Sequence, residues 1–110
     1  AVLVSGLFDL EPVRHTRPND WLHLDERSAR ALSPQHDLPD PGTRLCVAVA
    51  EADTGEFKRQ SWDYARACAA QGKAVSTLEV AGRNHFDVIL DWMDADSTLS
   101  RATWPLFDVA

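Results

Sequence analysis

An aspartate and a histidine stand in matching places along this chain. Asp53 lies four residues past Val49, the last valine of an apolar run, and His85 follows the next such run, in Gly82-Arg83-Asn84-His85-Phe86. A carboxylate that accepts the Nδ1–H of an imidazole fixes its tautomer and stabilises the imidazolium. The other nitrogen, Nε2, is then free to take a proton from a nucleophile. If the two apolar runs are adjacent parallel strands, their carboxyl ends converge on one crevice, where open α/β sheets bind ligands. The pair, 32 positions apart in sequence, is then within reach of a hydrogen bond. An aspartate before a helix also serves as a cap, and a histidine in a Gly-Asn loop as a solvated turn residue, so spacing alone leaves both readings open. Glu51 is the reserve acid; only two residues beyond the run, it can point elsewhere.

The elements that must position these side chains are legible from hydrophobic pattern. Val2 to Val4, Leu45 to Val49 and Ala74 to Val80 are short apolar runs suited to parallel strands covered on both faces, the third alternating more than the others. Between the second and third, Phe57, Ser61, Tyr64, Ala65 and Cys68 recur at helical spacing and predict a helix over Glu56 to Gln71. Thr54 is its expected N-cap, Glu56 places a carboxylate in the positive first turn, and Gly72 with Lys73 supplies the stop. Strand, helix, strand is a βαβ unit, and the fold class is α/β. In the long connection from Asp9 to Gly42, Asp25 to Leu32 reads as a capped helix ended by Ser33-Pro34, and Pro39-Asp40-Pro41-Gly42 as a turn. Phe86 to Met93 reads as a helix, as does Leu99 to Phe107, capped by Ser97 and shortened or kinked at Pro105.

Composition narrows the partners. The chain has 110 residues, 45% hydrophobic and 25% charged, a globular composition sized for one domain. Its net charge of −6 argues against phosphate backbones and anionic lipid, so neither nucleic acid nor membrane is an expected partner. Ala1 to Gly6 has neither the basic start nor the apolar length of a signal peptide or a membrane span. It reads as a strand already under way, and the expectation is a fragment of something longer. Cys46 and Cys68 sit in apolar segments, as small hydrophobes in a reducing cytoplasm.

Four pieces of text carry a family resemblance: Ser5-Gly6-Leu7-Phe8-Asp9-Leu10, Leu32-Ser33-Pro34, Asp53-Thr54-Gly55-Glu56-Phe57-Lys58-Arg59-Gln60-Ser61, and Gly82-Arg83-Asn84-His85-Phe86-Asp87. In them, along nearly its whole length, the chain resembles the C-terminal part of the kynurenine formamidase (arylformamidase) branch of the α/β-hydrolase superfamily. The first piece is shared more broadly with neighbouring esterases. The resemblance implies that residues 1–110 are the C-terminal fragment of a single α/β-hydrolase domain, with the three strands as the sixth to eighth of its sheet. It implies Asp53 as triad acid and His85 as general base, with no metal or organic cofactor. The complete enzyme would hydrolyse N-formyl-L-kynurenine to formate and kynurenine in tryptophan catabolism. Ala50 stands where the family often has Gly, an expected perturbation of the turn leading to Asp53.

The nucleophile is missing from the text. None of the serines has Gly two positions before it, so there is no Gly-x-Ser-x-Gly elbow; Cys46 and Cys68 fail the same test, and no His-Gly-Gly oxyanion loop occurs. Alone, this chain is therefore expected to be inactive. An ester in place of the formamide keeps the mechanism, and a non-catalytic α/β binding module is the reading from another class. Phe8 and Phe86, flanking the expected crevice, and Trp21, in the segment that can overhang it, are candidate substrate-binding aromatics. Trp21, Trp62, Trp92 and Trp104 also read as packing anchors, and Arg14 and Arg17 as solvated charges, with contact to a substrate carboxylate the alternative. His15, His23 and His36 lack metal-ligand spacing. The resemblance admits a homodimer of the full-length form. An uncovered edge on the first strand makes the isolated piece prone to associate.

Overall fold

The computed structural model describes residues 1–107, and its centre is a parallel sheet of three short strands. Strand β1 is Val2–Val4, β2 is Leu45–Ala50 and β3 is Val75–Val80, in the spatial order β1-β2-β3. Val2 is in register with Cys46, and Cys46 with Ser76. Only β2 is buried along its entire length, because it alone has a strand on each side. Its alternation splits the core in two. Leu45 and Val47 pack with Phe8, Tyr64, Ala65 and Cys68 on one face, while Ala48 and Ala50 pack with Val80, Val88 and Leu99 on the other.

The crossover between β2 and β3 is the helix α3, Gly55–Ala70, numbered after two short helices in the preceding connection, α1 (Asn19–Leu22) and α2 (Glu26–Leu32). The expected stripe of α3 is buried at Ser61, Tyr64, Ala65 and Cys68, with Gln60 in addition. Thr54 holds the N-cap position in extended conformation, but its side chain makes no capping bond. Asp25 does cap α2, exchanging bonds with Ser28 in a capping box. The polar connection also contains 3-10 turns at Pro12–His15 and Pro34–His36 that hydrophobic pattern did not disclose.

Two expectations near the C-terminus are corrected. The segment after His85 is a 3-10 helix over Val88–Met93, with Phe86 outside it, in place of an α-helix from Phe86. Its buried residues, Val88 and Asp91, are three apart, the period of a 3-10 turn. The last helix, α4, is Thr98–Thr103, with Ser97 capping Ser100 N–H; at Pro105 the chain has changed to a 3-10 turn, Trp104–Phe107. Nor are the tryptophans deep anchors. Trp92 and Trp104 are about two-fifths exposed and donate their indole N–H to Thr103 Oγ1 and to the Ala95 carbonyl.

Candidate active site

Both turns that follow β2 and β3 are built by side chains folding back on their own backbone. After β2, Asp53 N–H donates to the Ala50 carbonyl at 3.0 Å, and Ala50 N–H donates to Asp53 Oδ2 at 2.7 Å. This reciprocal pair turns the carboxylate back across the strand end. Ala50 has no left-handed backbone angle, so Ala in place of Gly leaves the turn unstrained, against the expected perturbation. After β3, Asn84 N–H donates to Asp87 Oδ1 at 2.7 Å while Asn84 Oδ1 accepts from Phe86 N–H and Asp87 N–H. The Asn-His-Phe-Asp text is thus a self-bonded turn with His85 and Phe86 at its crest. Ala52 N–H to the Arg83 carbonyl and Gly82 N–H to Glu51 Oε2, at 2.6 Å, tie the turns together.

These constraints bring His85 Nδ1 to 2.9 Å from Asp53 Oδ1. The Asp53 side chain is fully buried and that of His85 is 38% exposed, so the pair is sealed at the carboxylate and open at the imidazole. Burial is the largest influence on the Asp53 carboxyl and pushes its pKa up. Hydrogen bonds from the Ser5 hydroxyl, Ala50 N–H and His85 together outweigh it and hold the group below its ordinary 3.8. An ionised carboxylate only accepts, so the proton of the neutral ring lies on Nδ1 and the lone pair on Nε2. Phe57 lies against the ring, 4.4 Å between centroids, and Phe86 meets it edge-on at 5.4 Å.

The loop after β1 completes the arrangement. Ser5 Oγ donates to Asp53 Oδ2 at 2.5 Å. Gln60, buried in the second turn of α3, accepts Phe8 N–H and Asp9 N–H on Oε1, both at 2.8 Å, and passes its own amide N–H to Glu56. Ser33 takes Leu10 N–H on its hydroxyl. Gly6 is required beside them, because a Cβ there would lie 2.7 Å from Phe8 Cζ. The Ser-Gly-Leu-Phe-Asp-Leu, Leu-Ser-Pro and Asp-x-x-Glu-Phe-x-x-Gln pieces are therefore one hydrogen-bonded unit in space.

Three proteins named kynurenine formamidase are similar to this chain. The protein from Danio rerio is 34% identical over 106 residues and that from Salmo salar 36% over 107, each match covering 92% of this chain. The protein from Drosophila melanogaster is 30% identical over 108 residues, covering 91% of this chain. The chain spans about a third of their length, 36% in each case. No family model matches it.

Of the residues singled out from sequence, the fold brings Asp53, His85 and Phe86 together. Phe86 is 85% exposed beside the imidazole. Phe8 is corrected: it is a buried core residue, stacked on Tyr64 with centroids 4.1 Å apart. The bond to Gln60 draws its backbone down onto α3 and turns the ring inward. Trp21, on α1, is 71% exposed, and the rings against His85 are those of Phe57 and Phe86. Glu51, the reserve acid, spends its carboxylate on Gly82 N–H. Arg14 pairs with Glu11, and among the described residues no cluster of His, Cys, Asp or Glu could hold a metal ion. No described helix is long and apolar enough to cross a membrane. A surface hollow of about 320 Å³ beside Trp62, Ala65, Val75 and Thr77 opens near the start of β3, and a larger one of about 410 Å³ lies past the end of β3, beside Val80, Arg83, Leu90 and Asp91.

Ser5, Phe57 and Gln60 also surround the pair, directly or through the bonds above, without a site role legible in the sequence. For Gln60 a signal existed, an amide on the buried stripe of an amphipathic helix. Ser5 gave none, since its left-handed backbone is unusual for serine.

Proposed function

We propose that Asp53 and His85 are the acid and the general base of a serine hydrolase of the kynurenine formamidase type, and that the complete protein hydrolyses N-formyl-L-kynurenine. The observation that carries this reading is the 2.9 Å contact between His85 Nδ1 and a buried, ionised Asp53 at the carboxyl ends of adjacent parallel strands. The similarity to the named formamidases, which runs through both residues, supports it. Within the proposal the three strands are the last of an α/β-hydrolase sheet, and residues 1–110 are the C-terminal part of that single domain.

His85 Nε2 takes the proton of a serine hydroxyl supplied by sequence outside these residues. The serine oxygen bonds to the formyl carbon, the carbon–nitrogen bond breaks, and the imidazolium returns its proton to the departing aniline nitrogen. Water, deprotonated by the same ring, then cleaves the formyl ester to formate and restores the serine. Ser5 is not that nucleophile, because its hydroxyl donates to Asp53 instead of facing Nε2. Phe86, exposed beside the imidazole, offers an edge to the aromatic ring of the substrate.

The test is turnover of N-formylkynurenine by the complete protein, against an aryl ester of similar size. Formamide cleavage that falls by about 10³-fold or more in His85→Ala supports the proposal. Cleavage of the ester alone moves the reading to an esterase. Activity unchanged in His85→Ala rejects the base.

A further inference from the structure

We propose that Ser5 is a positioning residue for Asp53: at the end of β1 its hydroxyl occupies Oδ2, so that the carboxylate presents Oδ1 alone to His85. This rests on the acid–base reading above and deepens it. The backbone at Ser5 is left-handed, with φ of 48°, a conformation serine seldom adopts. Its N–H still extends the ladder to the Ala48 carbonyl at 2.8 Å, so the strand ends on this residue. The twist aims Cβ at the neighbouring turn, where Oγ meets Oδ2 at 2.5 Å. A contact of that length is typical of a hydroxyl donating to a carboxylate.

The segment that follows is pinned so that Ser5 cannot drift. Phe8 lies over Gly6, and Gln60 Oε1 gathers Phe8 N–H and Asp9 N–H onto α3, the helix that starts two residues after Asp53. Acid and donor are therefore referenced to one rigid element. Oδ2 receives two donors, Ser5 O–H and Ala50 N–H, and Oδ1 receives His85. Three donors in fixed directions leave the carboxylate plane no freedom to rotate. Without the hydroxyl, the single bond from Ala50 permits rotation, and the imidazole loses its fixed partner.

Other ionisable groups around the pair are already engaged. Glu51, on the same turn, holds Gly82 N–H; Arg83, on the β3 turn, pairs with Asp91 at 2.7 Å; Glu56, at the start of α3, is held by Arg59 and Gln60; Lys58 pairs with Glu79 on β3. Of these groups none bonds to the carboxylate, so its proton affinity is set by burial, which raises it, against the bonds from Ser5, Ala50 and His85. Removing the hydroxyl takes away one of the bonds that hold the Asp53 carboxyl below its ordinary value.

The experiment compares Ser5→Gly and Ser5→Ala in the complete protein. Gly accepts the left-handed backbone and lacks the whole hydroxymethyl group; Ala lacks only the hydroxyl and keeps the unfavourable angle. In both, kcat for N-formylkynurenine should fall about ten-fold or more, with KM within about two-fold. The His85 Nδ1–H resonance, read by nitrogen-15 NMR without turnover, should broaden through faster exchange with water. A Ser5→Gly protein with the parent's kcat and Nδ1–H signal overturns the inference. So does a variant whose only change is a lower melting temperature. Because the NMR signal needs no substrate, a protein in which His85→Ala stays active refutes the hydrolase reading separately, and the signal still decides the role of Ser5.

Discussion

Replacing Asp53 with Asn changes one atom and should remove most of the activity while leaving the fold nearly untouched. Ala50 N–H can only donate, and it points at the Oδ2 position from 2.7 Å. The Asn carbonyl must therefore occupy that position, where it also keeps the Ser5 hydroxyl bond. The amide NH2 is left facing His85, and the ring nitrogen that donated must now accept. This forces the proton onto Nε2 and abolishes the base. Loss of the correct tautomer in a Ser-His-Asp site costs about 10⁴ in kcat, or ~5.5 kcal/mol of barrier. Both buried donors remain satisfied, so unfolding free energy should change by no more than about 1 kcal/mol. The assay is steady-state hydrolysis of N-formylkynurenine by the complete protein, with the His85 tautomer read by nitrogen-15 NMR. An Asp53→Asn protein within about ten-fold of the parent, or one retaining the Nδ1–H tautomer, refutes the reasoning.

Further predictions concern what holds the site in place. Gln60→Leu strips the acceptor from Phe8 N–H and Asp9 N–H, and should cost about 2–4 kcal/mol in a urea melt; a change under about 0.5 kcal/mol contradicts the clamp. The depressed Asp53 carboxyl contributes stability above its unfolded value, near 3.8, and that contribution is lost as pH falls through the lower folded value. Between about pH 5 and about pH 2 the parent should therefore lose more stability than Asp53→Asn, as measured by urea midpoints. The isolated chain should associate, because β1 lies at a sheet edge and Phe86, Ile89, Leu90 and Met93 are exposed. Light scattering after size exclusion checks this, and a monomer with a cooperative melt contradicts it.

What could be read in advance was whatever repeats along the chain. The apolar run of β2 and the stripe of α3 are periodic signals set by burial on known faces, and both elements lie within a residue of their expected bounds. Asp53 and His85 followed from strand ends, because parallel strands force their carboxyl termini together. What was missed depends on single hydrogen bonds. Phe8 has the sequence position of a pocket residue, but its backbone bond to Gln60 sets it in the core, and the Val88–Met93 turn is 3-10 and buries only Val88 and Asp91. Ser5 acts through a backbone angle that no residue type announces.

The most direct measurement of the central claim is the rate at which a fluorophosphonate labels the complete protein and its His85→Ala variant. The account predicts one labelled serine, outside these 110 residues, and labelling slower by about 10³-fold in the variant. Equal labelling of both proteins, or none of the parent, would contradict it.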